Sequence, residues 1–185
     1  MVTTRAFFVS RPLLVVSIGL LAIAVVCAGA FGWRWSDSSA SAAPSGASGQ
    51  SGTLSAQLVQ QVLEQGERDV QSFNTLSYTN LAQGLSNWQQ ASTGTLRSQT
   101  TSGWSSFAKQ VSKLKTTSAA TILDASLTSL NNQNGTAGII VALQVTVTPA
   151  KGSAATKRSR LEGTLTRTSS GWKLSSLAEV PVGTS

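Results

Sequence analysis

The first hydrophobic pattern in the chain is an apolar run without a single charge. Residues 12–33 hold no Asp, Glu, Lys or Arg over 22 positions, and a helix of that length rises roughly 33 Å, enough to cross a hydrocarbon core of about 30 Å. Two arginines precede the run, whereas one arginine follows it and is partly offset by an acid. We therefore predict a cytoplasmic N-terminus over residues 1–11 and a transmembrane helix over residues 12–33.

Two alternatives to a retained membrane anchor stay open. Ala28-Gly29-Ala30 has the small-x-small form of a signal-peptidase site, although cleaved signals usually have a shorter apolar region of about 7–15 residues. Cys27 would suit a lipoprotein, but the residue before it is Val26 rather than a small one. The anchor is the favoured interpretation, with Cys27 as an apolar filler and its palmitoylation as a further alternative.

After the apolar run the hydrophobic periodicity disappears and then returns with helical spacing. Residues 34–53 consist mainly of Ser, Ala and Gly, which is typical of a flexible linker. From Leu54 onward three amphipathic helices are predicted, the second of them ending before the Thr93-Gly94 break. The stripe of the first helix consists of Leu54, Val59, Leu63, Gly66, Val70 and Phe73, widened by Leu58 and Val62. That of the second consists of Leu81, Leu85 and Trp88, and that of the third of Leu96, Thr100, Trp104 (or Gly103), Phe107, Val111 and Leu114. We expect Trp88, Trp104 and Phe107 to pack in the core.

Beyond Lys115 the hydrophobic period changes from 3.6 to 2 and β-branched residues accumulate. The pattern predicts one strand over 116–130 and a hairpin loop that ends in Asn-Gly. A second strand ends at Pro149, a third is centred on Leu161 to Leu165, and a fourth begins at Trp172. Residues 54–182 are therefore predicted to form an α+β domain, in which about three helices cover one face of a four-stranded antiparallel sheet. We expect residues 183–185 to form a tail.

Composition restricts the chemistry that this domain can perform. The chain has no His and one Cys, which excludes imidazole catalysis, histidine metal sites and an intrachain disulfide. The sequence contains no Gly-rich phosphate loop and no metal-ligand cluster, and the spacing of Ser106 and Lys109 is one that chance produces often. We expect no enzyme, no cofactor and no metal site.

Asp69 is the acid whose position is least typical of a solvated side chain. It lies seven residues after Val62 and four before Phe73, at the edge of the buried face of the first helix. A carboxylate there requires a hydrogen-bonded or charged partner. We interpret Asp69 as a structural polar anchor held by a salt bridge or by backbone N–H groups. A catalytic base is the alternative, but it would need a second converging group, and Tyr78 is the one tyrosine in the chain.

Positive charge is the last feature with a functional implication. The chain has 14 Lys and Arg against 7 Asp and Glu, and the bases of the domain gather on the third helix and at the start of the third strand. The candidate partner surface consists of Lys109, Lys113, Lys115, Lys157, Arg158 and Arg160. It would attract anionic head groups or an acidic protein, while a merely solvated face is the alternative. Nucleic acid is not an expected partner, because no aromatic residues interleave with these bases.

The layout and several short segments resemble one known family. The segments are Phe73-Asn74-Thr75-Leu76-Ser77-Tyr78, Thr93-Gly94-Thr95-Leu96, and Thr164-Leu165-Thr166-Arg167 with the following Gly171-Trp172-Lys173-Leu174. Together with the basic N-terminus, membrane helix, linker and α+β domain, they resemble the Mce-associated membrane proteins of mycobacteria and related actinobacteria. Ser77 departs from a position that is commonly acidic in that family.

The resemblance implies a fold and a role. The fold would be a nuclear-transport-factor-2-like cone, similar to the soluble domains of VirB-type secretion assembly factors. The protein would be a non-enzymatic, single-pass protein of the cell membrane with its C-terminal domain outside the cytoplasm. It would be an accessory or stabilising subunit of an Mce-type envelope lipid importer, with transporter proteins, other envelope proteins, the membrane and lipid as partners. A second hypothesis is a binding domain for an apolar ligand such as a fatty acid or sterol, since Gly66 and Gly103 could leave space under the sheet.

Overall fold

The computed structural model describes residues 49–180, with side chains described from residue 55 onward. The predicted N-terminal segment 1–11, the transmembrane helix 12–33, most of the linker and the tail lie outside these residues. Within residues 49–180, no helix has both the length and the apolar character that a membrane span requires.

Three helices and five strands make up the described part of the chain. In chain order they are α1 (Gly49–Phe73), β1 (Leu76–Ser77), α2 (Leu81–Ala91), α3 (Gly94–Leu114), β2 (Thr116–Asn131), β3 (Thr136–Pro149), β4 (Ala155–Thr168) and β5 (Gly171–Glu179). The three predicted helices are confirmed, although α1 begins at Gly49, inside the predicted linker. The predicted strand count of four was wrong because β1 is only two residues long and carries no alternating pattern.

All five strands form one antiparallel sheet in the order β1-β2-β3-β4-β5. Consecutive hairpins join β2 through β5, whereas β1 pairs with the start of β2 through Leu76 and Ser77. Two bulges interrupt the pairing of β2 with β3, one between Ile122 and Asp124 and one between Leu127 and Ser129. Bulges increase the local twist of a strand, so the long β2–β3 ladder is bent rather than flat.

Local capping determines where two of the helices begin and end. The Asn80 side chain accepts a hydrogen bond from the backbone N–H of Gln83 at 3.3 Å and so caps the start of α2. α3 ends where Lys115 adopts a left-handed conformation with φ of 50°. The carbonyl of Lys115 then accepts from the backbone N–H of Ala150 at 2.9 Å. The end of α3 is thereby tied to the turn between β3 and β4.

The core lies between the helices and one face of the sheet. Val62 and Val70 of α1 are fully buried in the same core cluster as Ile139 and Leu165 of the sheet. Val59, predicted for the buried stripe of this helix, is instead 42% exposed. Gly66 permits the close approach of α1 to the sheet, because a Cβ at its position would lie 2.6 Å from Ile139 Cδ1 and 3.0 Å from Leu165 Cδ1. The α1 helix therefore packs on the sheet more closely than a larger residue at position 66 would allow.

Four aromatic side chains fill the space between the three helices. Trp88 is buried, stacks on Phe73 at 5.4 Å, and contacts Trp104 and Phe107 at 5.3 and 5.2 Å between ring centroids. Its indole N–H donates to the carbonyl of Ser72 at 3.1 Å. The expected core packing is confirmed for Trp88, while Trp104 and Phe107 are half-buried against the core.

Candidate functional site

All six residues of the candidate partner surface are exposed side chains of α3, its C-terminal end or β4. They are Lys109, Lys113, Lys115, Lys157, Arg158 and Arg160. Val111 and Leu114 of α3 face the core on the opposite side of that helix, as the spacing of Lys109 and Lys113 predicts. The positions agree with the predicted helix register, and the role of these residues in binding stays a prediction.

The fold brings most bases of the two groups to one end of the domain, while Arg160 lies farther along β4, opposite Ala142 in the middle of β3. The hydrogen bond between Lys115 and Ala150 joins the end of α3 to the turn between β3 and β4. Lys157 and its neighbour Arg158 follow that turn, because Ala155 is the first residue of β4. Lys151 lies within the turn and is exposed. The predicted partner surface does not include Lys151, because the sequence pattern there predicts only a loop, although the proximity of Lys151 to the start of β4 is a usable signal.

We refer to this region as the basic end. It is defined by Lys109, Lys113, Lys115, Lys151, Lys157, Arg158 and Arg160. Three acids lie beside these seven bases. Glu179 of β5 bonds to Lys157, Glu162 is two residues from Arg160 on β4, and Asp124 lies opposite Ala142, the β3 partner of Arg160. The other four bases of residues 55–180 are accompanied by the other three acids, so the remainder of the domain is close to neutral. The positive excess of the domain is therefore concentrated at one end.

Glu179 is the acid that interacts with the basic end. Its Oε1 atom accepts from Lys157 Nζ at 2.8 Å and from the Ser159 hydroxyl at 3.0 Å. The bond from Lys157 is the main reason that the pKa of Glu179 is held below its usual range, against the opposing effect of partial burial. The Lys157 and Glu179 side chains are 44% and 43% exposed, so this pair contributes little stability. It does neutralise Lys157 in part.

Asp69 of α1 lies in a different, buried environment. It is 5% exposed, and its Oδ1 atom accepts from Gln65 Nε2 at 2.8 Å. Its Oδ2 atom has no hydrogen-bond partner among the described residues. The expected salt bridge or backbone N–H partner was therefore wrong, because the side chain of Gln65, one helical turn earlier, supplies the bond. Burial raises the pKa of Asp69 to about 7, against the lowering effects of Gln65, Lys173 and Arg68.

The surroundings of Asp69 do not resemble a catalytic arrangement. The hydrogen-bond partner of the carboxyl is a neutral amide on the same helix, and a general base needs a substrate position within hydrogen-bond reach. A cavity of about 30 Å³ lies under α3, but its lining includes Phe73, Trp88, Phe107 and Val147 and does not include Asp69. Within residues 55–180, no three His, Cys, Asp or Glu side chains gather as a metal site would require.

The two glycines that suggested an apolar binding site do not create one. The space beside Gly66 is filled by the side chains of Ile139 and Leu165, so this glycine permits close packing rather than leaving a void. Gly103 is exposed on α3, and a Cβ at its position would have no heavy atom within 4 Å, so it does not face the sheet. The cavity under α3 has room for one or two waters, whereas ligand sites usually occupy about 300–1,000 Å³. The motivation for a fatty acid or sterol site is thereby lost.

Comparisons with known proteins identify the fold but not a family. No protein-family model and no curated protein sequence matches the chain. An IcmL-like type IV secretion system protein from Legionella pneumophila has a similar structure, with a TM-score of 0.55, 15% identity, and coverage of 70% of this chain and 94% of that one. The periplasmic domain of DotI is similar with a TM-score of 0.56, 15% identity, and coverage of 65% and 94%.

A third similar structure is CagV, a VirB8 homolog of the type IV secretion system of Helicobacter pylori. Its TM-score is 0.54 at 11% identity, over 67% of this chain and 99% of that one. These similarities confirm the expected nuclear-transport-factor-2-like α+β fold, with a curled antiparallel sheet of five strands rather than four. The described domain accounts for nearly the whole of each similar chain. Membership of the Mce-associated family stays a prediction.

Proposed function

We propose that this chain is a non-enzymatic accessory subunit of a multi-protein complex in the cell envelope. The observation that carries the proposal is the concentration of positive charge at one end of a nuclear-transport-factor-2-like domain. Such a surface is suited to docking, since complementary charge steers partners and sets their orientation. The similar IcmL-like and CagV proteins are by name type IV secretion proteins, which supports an accessory role within an assembly.

A position outside the cytoplasm is part of the same proposal. The similar domain of DotI is described as periplasmic. Residues 12–33 have the length and composition of a membrane anchor, and the charges around them favour a cytoplasmic N-terminus. The chain would then be a single-pass protein of the cell membrane, with the described domain on the outer side.

The finer proposal is that the complex is an Mce-type lipid importer. Its support is the resemblance in layout and in short segments, among them Asn74-Thr75 ahead of Tyr78 and the late Gly171-Trp172. The first of these segments has a clear structural role. The Asn74 side chain donates to the Val70 carbonyl at 2.8 Å, and the Thr75 hydroxyl accepts from the backbone N–H of Ala120 at 3.2 Å. Both bonds fix the crossing from α1 into β1.

The proposal of a non-enzymatic role is supported by the geometry of the interior. Asp69 is the buried acid of the domain, and Gln65 is its one hydrogen-bond partner among the described residues. The cavity under α3 is too small for a substrate, and its lining is mostly apolar. In this proposal, the exposed basic end is the part of the domain that contacts other molecules.

Affinity purification of the tagged full chain from native membranes tests the proposal. We expect Mce transporter proteins, or other subunits of one envelope complex, to copurify at mild ionic strength and to be lost as salt is raised. A deletion of the gene should also lower the amount of the assembled complex. Recovery of the chain without any envelope partner, together with an unchanged complex in the deletion strain, would contradict the accessory role. Recovery of an envelope complex of another kind would contradict only the Mce assignment.

A further inference from the structure

The direction of α1 relates the basic end to the point where the chain enters the domain. Near the end of α1, Gln71 Nε2 donates to the carbonyl of Ala120 at 2.9 Å, close to the start of β2. Five residues earlier, Gly66 packs on Ile139. Ile139 pairs with Leu127 of β2, which is seven residues and about 20 Å farther along that strand than Ala120. The first residue of α1, Gly49, therefore lies toward the end of the domain opposite the basic end.

The separation is large compared with the range of electrostatic attraction. α1 has 25 residues, so its axis is about 37 Å long. A membrane on the side of Gly49 would lie several screening lengths from the basic end, since that length is about 8 Å at physiological ionic strength. If residues 34–48 behave as the linker predicted from their composition, their root-mean-square reach would be about 20 Å. That average reach is shorter than α1, so most linker conformations would keep the Gly49 end nearer to the membrane than the basic end.

The basic end also has little of the exposed apolar surface that membrane-binding surfaces use. Among the described residues, the exposed large apolar side chains are Val59, at 42%, and Leu123, at 50%. Val59 belongs to α1, away from the basic end. Leu123 lies at a bulge of β2 near Ala142, the β3 partner of Arg160, and so at the margin of the basic end. Surfaces that bind at the lipid interface combine basic residues with inserted Trp, Phe or Leu. Seven bases with a single exposed leucine at their margin fit a polar, anionic partner better.

We propose that the basic end is the docking surface for an acidic protein segment on another subunit of the complex, and not for the membrane that anchors this chain. The inference rests on the proposed function, because it takes the N-terminal anchor as given. Six of the seven bases have no acid within ion-pair distance among the described residues, so they can form new pairs with Asp and Glu side chains. On binding, Lys157 would either leave Glu179 for an acidic side chain of the partner or pair with both.

The test uses the full chain in phosphatidylcholine nanodiscs and a labelled Asp/Glu-rich peptide of about 20 residues as the probe. The Lys109→Glu/Lys113→Glu double variant should weaken peptide binding at least about tenfold at low salt, since it reverses two charges at the docking surface. The difference should shrink as salt is raised. Equal peptide affinity of this variant and the unmodified chain would overturn the proposal.

A matched control separates position from total charge. The Arg97→Glu/Ser98→Glu/Gln99→Glu variant lowers the net charge by the same four charges as the double variant, on exposed positions of the same helix. These positions lie near the N-terminus of α3, where acidic residues are well tolerated. At physiological ionic strength, where the screening length is about 8 Å, peptide affinity should fall less than about twofold in the control. An equal loss in both variants would overturn the proposal, because net charge rather than the basic end would then determine binding.

Nanodiscs that contain phosphatidylglycerol distinguish the acidic segment from the membrane. If the basic end points away from its own bilayer, the unmodified chain should bind the peptide with an affinity within about twofold of that in neutral discs. Loss of peptide binding in the anionic discs would mean that the basic end lies on the lipid, and would overturn the proposal. These outcomes do not depend on which complex copurifies, so failure of the proposed function and failure of this inference are distinguishable.

Discussion

Asp69 of α1 and the lysines of the basic end lie in opposite environments. Asp69 is 5% exposed, and its carboxyl group has one hydrogen-bond partner among the described residues. Lys109 and Lys113 lie in solvent. Ionisation of the buried group is costly because water is replaced by apolar atoms and one neutral amide. The exposed charges retain their hydration, so they cost the fold little and are available to a partner. The comparison separates polar residues that affect stability from polar residues that can affect binding.

The largest difference between the two regions should come from the aromatic cluster of the interior. Trp88→Ala removes a side chain that contacts Phe73, Trp104 and Phe107 and should lower the free energy of unfolding by about 3–5 kcal/mol. Chemical denaturation of the full chain in detergent measures the change. A loss below about 1 kcal/mol would mean that the cluster does not support the interior in this way.

The next largest effect should be a dependence of stability on pH that arises from Asp69. The folded carboxyl has a pKa of about 7, whereas an unfolded one titrates near 3.9. The folded state therefore binds more protons between these values, and the free energy of unfolding should fall as pH rises from about 4 through about 7, then level off. The positive charges of Lys173 and Arg68 reduce this effect without removing it.

Replacement of the carboxyl sharpens that prediction. Asp69→Asn should raise the free energy of unfolding by roughly 2–4 kcal/mol near pH 8 and by almost nothing near pH 4, because the amide carries no charge at either pH. The amide oxygen can still accept from Gln65. The matched control is Asp124→Asn at an exposed position of β2, for which no comparable gain is expected. A stabilisation of Asp69→Asn that is equal at both pH values would contradict the ionisation cost.

A pair of glycine substitutions compares the packed interior with the open helix surface. Gly66→Ala places a methyl group against Ile139 and Leu165 and should destabilise the domain by about 1–3 kcal/mol. Gly103→Ala adds a methyl group in open space on α3 and should stabilise it by up to about 1 kcal/mol through helix propensity. Thermal unfolding of the two variants checks the opposite signs. If both variants changed stability in the same direction, Gly66 and Gly103 would lie in similar surroundings, and the comparison would be contradicted.

The smallest effect on stability is expected at the basic end. The Lys109→Glu/Lys113→Glu variant should change the free energy of unfolding by no more than about 0.5–1 kcal/mol, part of it from the unfavourable position of an acid near the end of α3. Thermal unfolding at two salt concentrations measures this change. Unfolding of the domain by the double substitution would contradict the helix register in which both lysines face solvent.

The sequence predicts the long elements well because their patterns extend over many residues. α1 and α3 each repeat an apolar stripe for several turns, and β3 alternates over most of its length. β1 was missed because Leu76 and Ser77 are too few to show a period, and their pairing depends on the distant start of β2. A local pattern cannot predict the pairing of Leu76 with Ser118, because the two residues are far apart in the sequence.

The candidate site was predicted in composition but not in arrangement. The exposure of Lys109 and Lys113 follows from helical spacing. Their proximity to the bases of β4 depends on the left-handed Lys115 and its bond to Ala150, and neither has a sequence signature. For Asp69, spacing predicted burial correctly, but the choice of Gln65 as partner follows from side-chain rotamers on one helix. Burial is periodic in sequence, whereas hydrogen-bond pairing is not.

The two bulges of β2 have a consequence for self-association. Since β1 pairs with two residues at the start of β2, most of the outer edge of that 16-residue strand has no strand partner among the described residues. A long regular edge would be a template on which chains could polymerise. The irregularities around Leu123 and Thr128 divide this edge into short pieces with mismatched twist. The bulges therefore reduce the tendency of the open sheet edge to pair with a strand of another chain.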